Sequence, residues 1–404
     1  MSDALRVTRR GFVGGASLAA LGAALVPGEL RSAVRPAGGR ANEWELYVGT
    51  YTANTRSHGI YRLVIDAELG GEVERSVAAA CENPSFVALS PDRRRLVAVN
   101  ELERYEGKAS GGVTSFARDP ERGSLSAPSR RASLGGAPCY VSIDARGRHA
   151  LVANYLGGNV TVFPIAADGV LGAASANVQH VGHGADRARQ EGPHAHCVLL
   201  DRANRFAVVA DLGIDRIKAY RFDAERGTLT LLDGGDVVLP PGTGPRHLAW
   251  SPDGRTMYAT GELASTLTVL DYESATGVLR ARQTLSLRPA GATGANAPAD
   301  VHVHPTGRFV FASNRGDNTI AVFRVDRATH ELEPVQFAPC GGDWPRNFAL
   351  DPTGRLLLVA NQRSDSIVPF SMNPQTGELT ATGARIDIPA PVCLRFVEET
   401  MAPR

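Results

Sequence analysis

One motif recurs along the chain, and its spacing leaves few folds open. Pro or a small residue, a short apolar run, Ser/Asp/His-Pro-Asp/Thr-Gly-Arg, another apolar run and Asn come round repeatedly. The clearest copies are Ser251-Pro252-Asp253-Gly254-Arg255, His304-Pro305-Thr306-Gly307-Arg308 and Asp351-Pro352-Thr353-Gly354-Arg355, with degenerate copies from Ser90, Asp144 and Asp201. These six anchors lie 54, 57, 50, 53 and 47 residues apart, and a weaker seventh copy follows Pro391. Each period holds about four β-branched runs between turn signals, which read as strands. Four strands in roughly 50 residues, seven times over, predict an all-β chain folded as a seven-bladed β-propeller with four antiparallel strands per blade. The last copy stops after one strand, residues 393–397, while residues 46–51 and 59–65 supply unclaimed strands. The N- and C-terminal strands are therefore expected to share one blade and close the ring, which removes an exposed sheet edge.

Composition agrees with this. The 43 glycines and 25 prolines argue against a helical bundle, and 404 residues exceed what one hydrophobic core accommodates but not what a repeat array does. Charge is balanced, 43 Lys+Arg against 42 Asp+Glu. Residues 1–40 hold six arginines and two acids, so the rest of the chain is slightly acidic and nucleic acid is not an expected partner. Only Lys108 and Lys218 are lysine, which makes an Arg inside a motif weaker evidence than usual.

Thr8-Arg9-Arg10-Gly11-Phe12-Val13, a short Ala/Gly/Leu stretch and small residues near Ser32 have the layout of a twin-arginine export signal. We therefore expect residues 1–37 to be a signal peptide and residues 42–397 the propeller. The protein would be exported to the periplasm or beyond, with the twin-arginine machinery as a partner and no membrane span in the mature chain. Five scattered cysteines without a C-x-x-C pair imply no disulfide framework.

The repeat also has a register. The first two strands of each blade form a hairpin through the Pro-Asp-Gly turn, so the start of the first and the end of the second lie at the same mouth of the ring. Five residues before the anchors stand Ser85, Cys139, His196, Arg246, Ala299, Arg346 and, in the closing blade, Val392. Eleven after them stand Glu101, Tyr155, Leu212, Glu262, Arg315 and Gln362. Charges directed at one funnel from different blades need partners, solvent or a ligand, because burying unpaired charge is expensive. One residue earlier, Asn100, Asn154, Asn314 and Asn361 suit a turn, since Asn tolerates the left-handed region; Asn314 is also a candidate substrate contact. His180, His183, His194 and His196 lie close together, but no carboxylate or Cys stands at ligand spacing, so neither metal nor cofactor is expected. No Gly-x-Ser-x-Gly elbow, Walker loop or dinucleotide fingerprint is present.

Tyr47-Val48-Gly49-Thr50-Tyr51, Pro193-His194-Ala195-His196, Gly244-Pro245-Arg246-His247, Gly261-Glu262-Leu263 and Ser313-Asn314-Arg315-Gly316 carry a further signal. Through them residues 44–397 resemble the lactonase family of seven-bladed propellers, which includes bacterial 6-phosphogluconolactonases and the fungal carboxy-muconate lactonising enzyme. The resemblance implies a catalytic set of His196, Arg246, Glu262 and Arg315, four residues that the register also selects; Glu101 and Arg346 from the same register positions, with His194, Asn314 and His247, are expected substrate contacts. It also implies opening of a small-molecule lactone, either a phosphorylated sugar lactone or, given the export signal, an unphosphorylated aldonolactone. Glu262 or His196 would supply the base and the arginines would hold the developing oxyanion. The other readings are a non-catalytic exported propeller that binds a small ligand or a partner protein in the same funnel, and a muconate-type lactonising cycloisomerase. If the arginine pair directs export, Arg9→Lys with Arg10→Lys should leave the protein in the cytoplasm, as cell fractionation would register.

Overall fold

The computed structural model describes residues 42–397, so the expected signal segment lies outside the described residues. The described chain forms seven antiparallel sheets. Two 3-10 turns, Leu212–Ile214 and Gln362–Ser364, are its only helical elements. The innermost strands are Val87–Leu89, Pro138–Ile143, Ala195–Leu200, Pro245–Trp250, Ala297–Val303, Pro345–Leu350 and Pro391–Phe396. Each touches the next, and the last touches the first, so the sheets form a closed β-propeller. Pro391–Phe396 pairs with Glu43–Thr50, followed by Gly59–Asp66 and Glu72–Ala80, so the two ends of the described chain complete one blade. The sixth blade departs from regularity: its fourth position is split between Leu379–Ala381 and Ile386–Asp387.

Blades pack face to face, so second strands such as Phe206–Asp211 and Leu356–Asn361 are buried on both sides and read as unbroken apolar runs, whereas an outermost strand such as Glu72–Ala80 is largely exposed. The anchor residue organises each turn between first and second strands. Asp201 Oδ1 accepts from Arg205 N at 2.6 Å and Phe206 N at 2.9 Å, and Ser251 Oγ accepts from Thr256 N at 2.9 Å. Gly254 and Gly354 complete their turns with φ of 70° and 73°, which explains glycine there.

The recurrent Asn at the end of the second strand does a job different from the turn cap expected. None of the four has a positive φ. Instead Asn100, Asn154, Asn314 and Asn361 donate from Nδ2 to the backbone oxygens of Glu82, Ser133, Leu287 and Cys340, at 2.7, 3.2, 2.7 and 3.2 Å. Each amide thereby ties its strand to the segment entering the blade. Asn314 also accepts from Asn296 Nδ2 at 3.1 Å and is fully buried, which leaves it no face toward a ligand.

A buried ionic cluster clasps the closing blade to its neighbour. Glu45 Oε2 receives Arg118 Nη2 at 2.5 Å and Oε1 receives Arg62 Nε at 2.7 Å. Arg118 Nε donates to Tyr47 Oη at 2.8 Å, and that hydroxyl donates to Gly123 O at 2.6 Å. Removing one member strands a buried charge, so Glu45→Leu should cost about 3–5 kcal/mol in denaturant unfolding, while Glu45→Leu with Arg118→Leu should cost less than the single change.

Candidate active site

Innermost strands begin with an irregularity that re-aims side chains. Pairing with the second strand slips between Pro138 and Tyr140, Ala195 and Cys197, Pro245 and Leu248, Pro298 and Val301, and Pro345 and Asn347. A residue in such a bulge leaves the ladder, and its side chain turns away from the pleat. Cys139, His196, Arg246 and Arg346 each occupy one. A proline precedes three of them, placed at the strand start, where its missing N–H is not needed. From the opposite side Glu101, Tyr155 and Glu262 follow the last residue of a second strand, and Arg315 ends one.

These eight residues and Arg189 line a cavity of about 200 Å³ at one mouth of the ring. Glu262 is its hub. Oε2 accepts from Arg315 Nη2 at 2.7 Å and lies 2.8 Å from Arg246 Nε, while Oε1 accepts from Arg189 Nη2 at 2.6 Å. The Arg246 contact is an ion pair without hydrogen-bond alignment, since the Nε proton has no acceptor among the described residues. Backbone carbonyls fix both strand-borne guanidiniums: Arg246 Nη1 donates to Ala299 O at 2.8 Å and Arg315 Nε to Ala297 O at 2.9 Å.

Burial alone would raise the Glu262 pKa, but the charges of Arg315 and Arg246 and the hydrogen bond from Arg189 outweigh it and hold the carboxyl well below the usual carboxylate range. Arg315 is lowered to about 9, by burial first, and stays cationic at neutral pH. Burial, assisted by Arg246, His247 and Arg346, holds the His196 pKa well below that of a free imidazole. Its Nδ1 lies 3.6 Å from Cys139 Sγ. On the far side of the cavity Tyr51 Oη donates to Glu101 Oε1 at 2.8 Å, and Arg346 sits over the Tyr51 ring at 5.4 Å with Nη2 3.8 Å from Glu101.

His196, Arg246, Glu262, Arg315, Glu101 and Arg346 thus meet in one cavity; His194, His247 and Asn314 do not line it. His194 donates from Nδ1 to Tyr155 O at 2.9 Å and stacks on the Tyr155 ring at 4.4 Å, so it supports a cavity wall. His247 packs edge-on against His196 at 5.3 Å and donates from Nδ1 to Asp300 Oδ1 at 2.7 Å. Asp300 also accepts from His302 Nε2 at 2.9 Å and from Asn347 Nδ2, joining three blades beneath the cavity.

Sequence reasoning missed two residues. Tyr51 stands just past the second strand of the closing blade, the same register position that yields Glu101 and Glu262, and extending the count there would have found it. Arg189 belongs to no strand. It comes from the 15 residues between Gln179 and Ala195, and the abundance of arginine hides it. Among the described residues no three His, Cys, Asp or Glu side chains gather as a metal-ligand set, all five cysteines are free and buried, and no helix is long and apolar enough to cross a membrane.

The fold and this cavity define a seven-bladed β-propeller with a charged pocket lined by residues from six of its blades. The family described as lactonase, 7-bladed beta-propeller, matches residues 45–396. A Bacillus subtilis protein named 6-phosphogluconolactonase is 35% identical over 353 residues, which cover 87% of this chain and 98% of the relative. A 6-phosphogluconolactonase of Pectobacterium carotovorum is 31% identical across 70% of this chain and 78% of its own. The structure of a periplasmic gluconolactonase from Pseudomonas aeruginosa is similar with a TM-score of 0.82 at 36% identity, covering 88% of this chain and 99% of that one. The chain belongs to the lactonase family, and with it to the lactone-opening hydrolases.

His247 makes acid stability a test of the packing beneath the cavity. Burial, then the Arg246 charge, lowers its pKa to about 4 despite the Asp300 carboxylate. The unfolded chain therefore binds a proton near pH 6.5 that the folded chain refuses until about pH 4, so this residue's contribution is present above 6.5 and is lost as pH falls through that window. The loss reaches about 3 kcal/mol at about 1.4 kcal/mol per pKa unit. The fall in Tm between pH 6.5 and 4 should be shallower in His247→Gln.

Proposed function

We propose that this chain hydrolyses a sugar lactone in the cavity at the propeller mouth. The observation that carries the reading is the convergence of Arg246 and Arg315 on one oxygen of Glu262 beside an imidazole kept neutral. Ring opening needs a base for water, positive charge where the carbonyl oxygen becomes an oxyanion, and a proton for the departing ring alkoxide. His196 meets the first need, because its uncharged ring keeps a lone pair at neutral pH. It takes one proton from water as the hydroxyl oxygen bonds to the carbonyl carbon. As the C–O ring bond breaks, the same proton passes to the alkoxide, leaving a hydroxy acid. Arg246 and Arg315 stabilise the oxyanion. Glu262 is a poor base, since three guanidiniums suppress its proton affinity. Its task is to hold two arginines in position, at a separation that neighbouring cations would not keep by themselves.

Export belongs to the same proposal. It is supported by Thr8 to Val13 in the sequence and by the similar Pseudomonas protein, which is named a periplasmic gluconolactonase. An exported enzyme also meets sugar lactones without phosphate, so the substrate class spans phosphorylated sugar lactones and unphosphorylated ones such as aldonolactones.

His196→Ala should lower kcat by roughly a hundredfold or more, the usual scale for a general base, with the melting temperature as a check on folding. Arg246→Lys and Arg315→Lys should each be costly, because a point charge does not reproduce the planar guanidinium. The wild-type kcat/KM, corrected for spontaneous opening, should stay level as pH is lowered from 8 through 6.5, since the base has its pKa well below that of free histidine. A half-maximal rate near 6.5, or full turnover in His196→Ala, would remove His196 from the role.

A further inference from the structure

Within the cavity Arg189 differs from the other charged residues in how it is held. Arg246, Arg315 and Glu262 have side chains 2–6% exposed, against 42% for Arg189. Its Nη2 meets Glu262 and, at 3.5 Å, the hydroxyl of Tyr155, while Nε and Nη1 have no partner among the described residues. The connection that carries it is anchored at both ends. His180 donates from Nδ1 to Asp211 Oδ2 at 2.6 Å, and Asp211 Oδ1 accepts from His194 N at 2.7 Å. Gln190, the next residue after Arg189, donates from Nε2 to Leu212 O and to Asp215 Oδ1, both at 2.8 Å. Asp211 takes the register position that is Asn in four other blades, so this blade has exchanged its ordinary tie for a carboxylate that fastens the connection. Arg189 is thus presented at the mouth by a built support.

Charge then indicates what it meets. Four guanidiniums, Arg189, Arg246, Arg315 and Arg346, face two carboxylates, Glu101 and Glu262. The formal excess is two positive charges in a small, partly desolvated space, where an anion is favoured over an uncharged ligand. Arg246 and Arg315 are held by Glu262 and backbone carbonyls and Arg346 lies over Tyr51 beside Glu101, all at most 18% exposed, so Arg189, at 42%, is the guanidinium that presents Nε and Nη1 to an entering molecule. Resting on the lactonase reading above, we infer that Arg189 is a specificity-determining residue that selects sugar lactones bearing an anionic substituent, phosphate or carboxylate, over uncharged ones. Arg189 receives that group at the mouth while the ester ring lies deeper, beside His196.

The test compares kcat/KM for gluconolactone, 6-phosphogluconolactone and glucaro-1,4-lactone, which keeps a free carboxylate, in wild type, Arg189→Gln and Arg189→Lys, with thermal melting as the folding check. The wild type should prefer at least one charged lactone. Arg189→Gln should reduce that preference at least tenfold, with KM carrying the loss, and Arg189→Lys should retain most of it. Using the ratio cancels any effect exerted through Glu262 on all three substrates alike. Whichever charged lactone loses its advantage identifies the anion. A wild type without preference, or a preference unchanged in Arg189→Gln, overturns the inference. If no lactone is turned over at all, the lactonase proposal for this cavity fails. Calorimetric binding of 6-phosphogluconate against gluconate still decides the role of Arg189: a preference for the phosphorylated acid that shrinks tenfold in Arg189→Gln sustains it, and one that is absent or unchanged refutes it.

Discussion

Everything at the mouth depends on hydrogen bonding between Pro391–Phe396 and Glu43–Thr50, strands separated by nearly the whole described chain. Seven twisted sheets arranged radially would otherwise end in two open edges, and an open ring has no fixed diameter. Closure sets how near the innermost strands approach one another, and so whether side chains from blades far apart in sequence share one 200 Å³ cavity. The ionic clasp of Glu45, Arg118 and Arg62 acts at this junction, where register matters most. A slip of one residue there would turn every side chain of a strand buried on both sides toward the wrong neighbouring blade.

A closed ring makes buried charge affordable in a particular way. Removing Glu262 and two arginines from water costs several kcal/mol per ion, and attraction offsets this only with well-made geometry and satisfied hydrogen bonds. The backbone carbonyl of Ala299, inside the register slip of the innermost strand, and that of Ala297, just before it, supply part of that satisfaction. The bulges therefore act twice: they turn Cys139, His196, Arg246 and Arg346 out of the ladder, and in the blade of Ala297–Val303 the slip includes Ala299, whose carbonyl accepts from Arg246. A site preorganised in this manner pays its reorganisation cost during folding rather than at the moment of reaction, as electrostatic catalysis requires.

This division explains what could be read from sequence. The anchor spacing reports the blade period, and the period gives the register, because in five of the six anchored turns an Asp or Ser side chain accepts from the backbone N–H five residues on, with His304 standing in the sixth. Residues projected by strands were thus legible: counting from the anchors reaches His196, Arg246, Glu262, Arg315, Glu101 and Arg346 without a structure. Register does not distinguish a side chain that enters the cavity from one that ties two segments together, and Asn314 is the case in point, one position from Arg315 and wholly enclosed. Neighbourhood in sequence misleads likewise for His194 and His247, which sit two residues and one residue from cavity-lining groups yet face the Tyr155 wall and Asp300. Arg189 was invisible for a different reason. A connection between blades has no periodicity, and its path depends on the distant contacts His180–Asp211 and Gln190–Asp215.

The same division says where specificity can change without disturbing chemistry. A strand-borne residue at the mouth is coupled to the ring through bulge, ladder and neighbouring blade, so altering it perturbs several sheets at once. A residue on an inter-blade connection is coupled only through its anchors. Arg189 is held by two such anchors and touches Glu262 from the open side, while Arg246 and Arg315 approach the same carboxylate from within. One carboxylate therefore joins a rigid inner set to a replaceable outer residue. Exchanging the connection would alter the second while the strand-borne groups stay where the ring holds them.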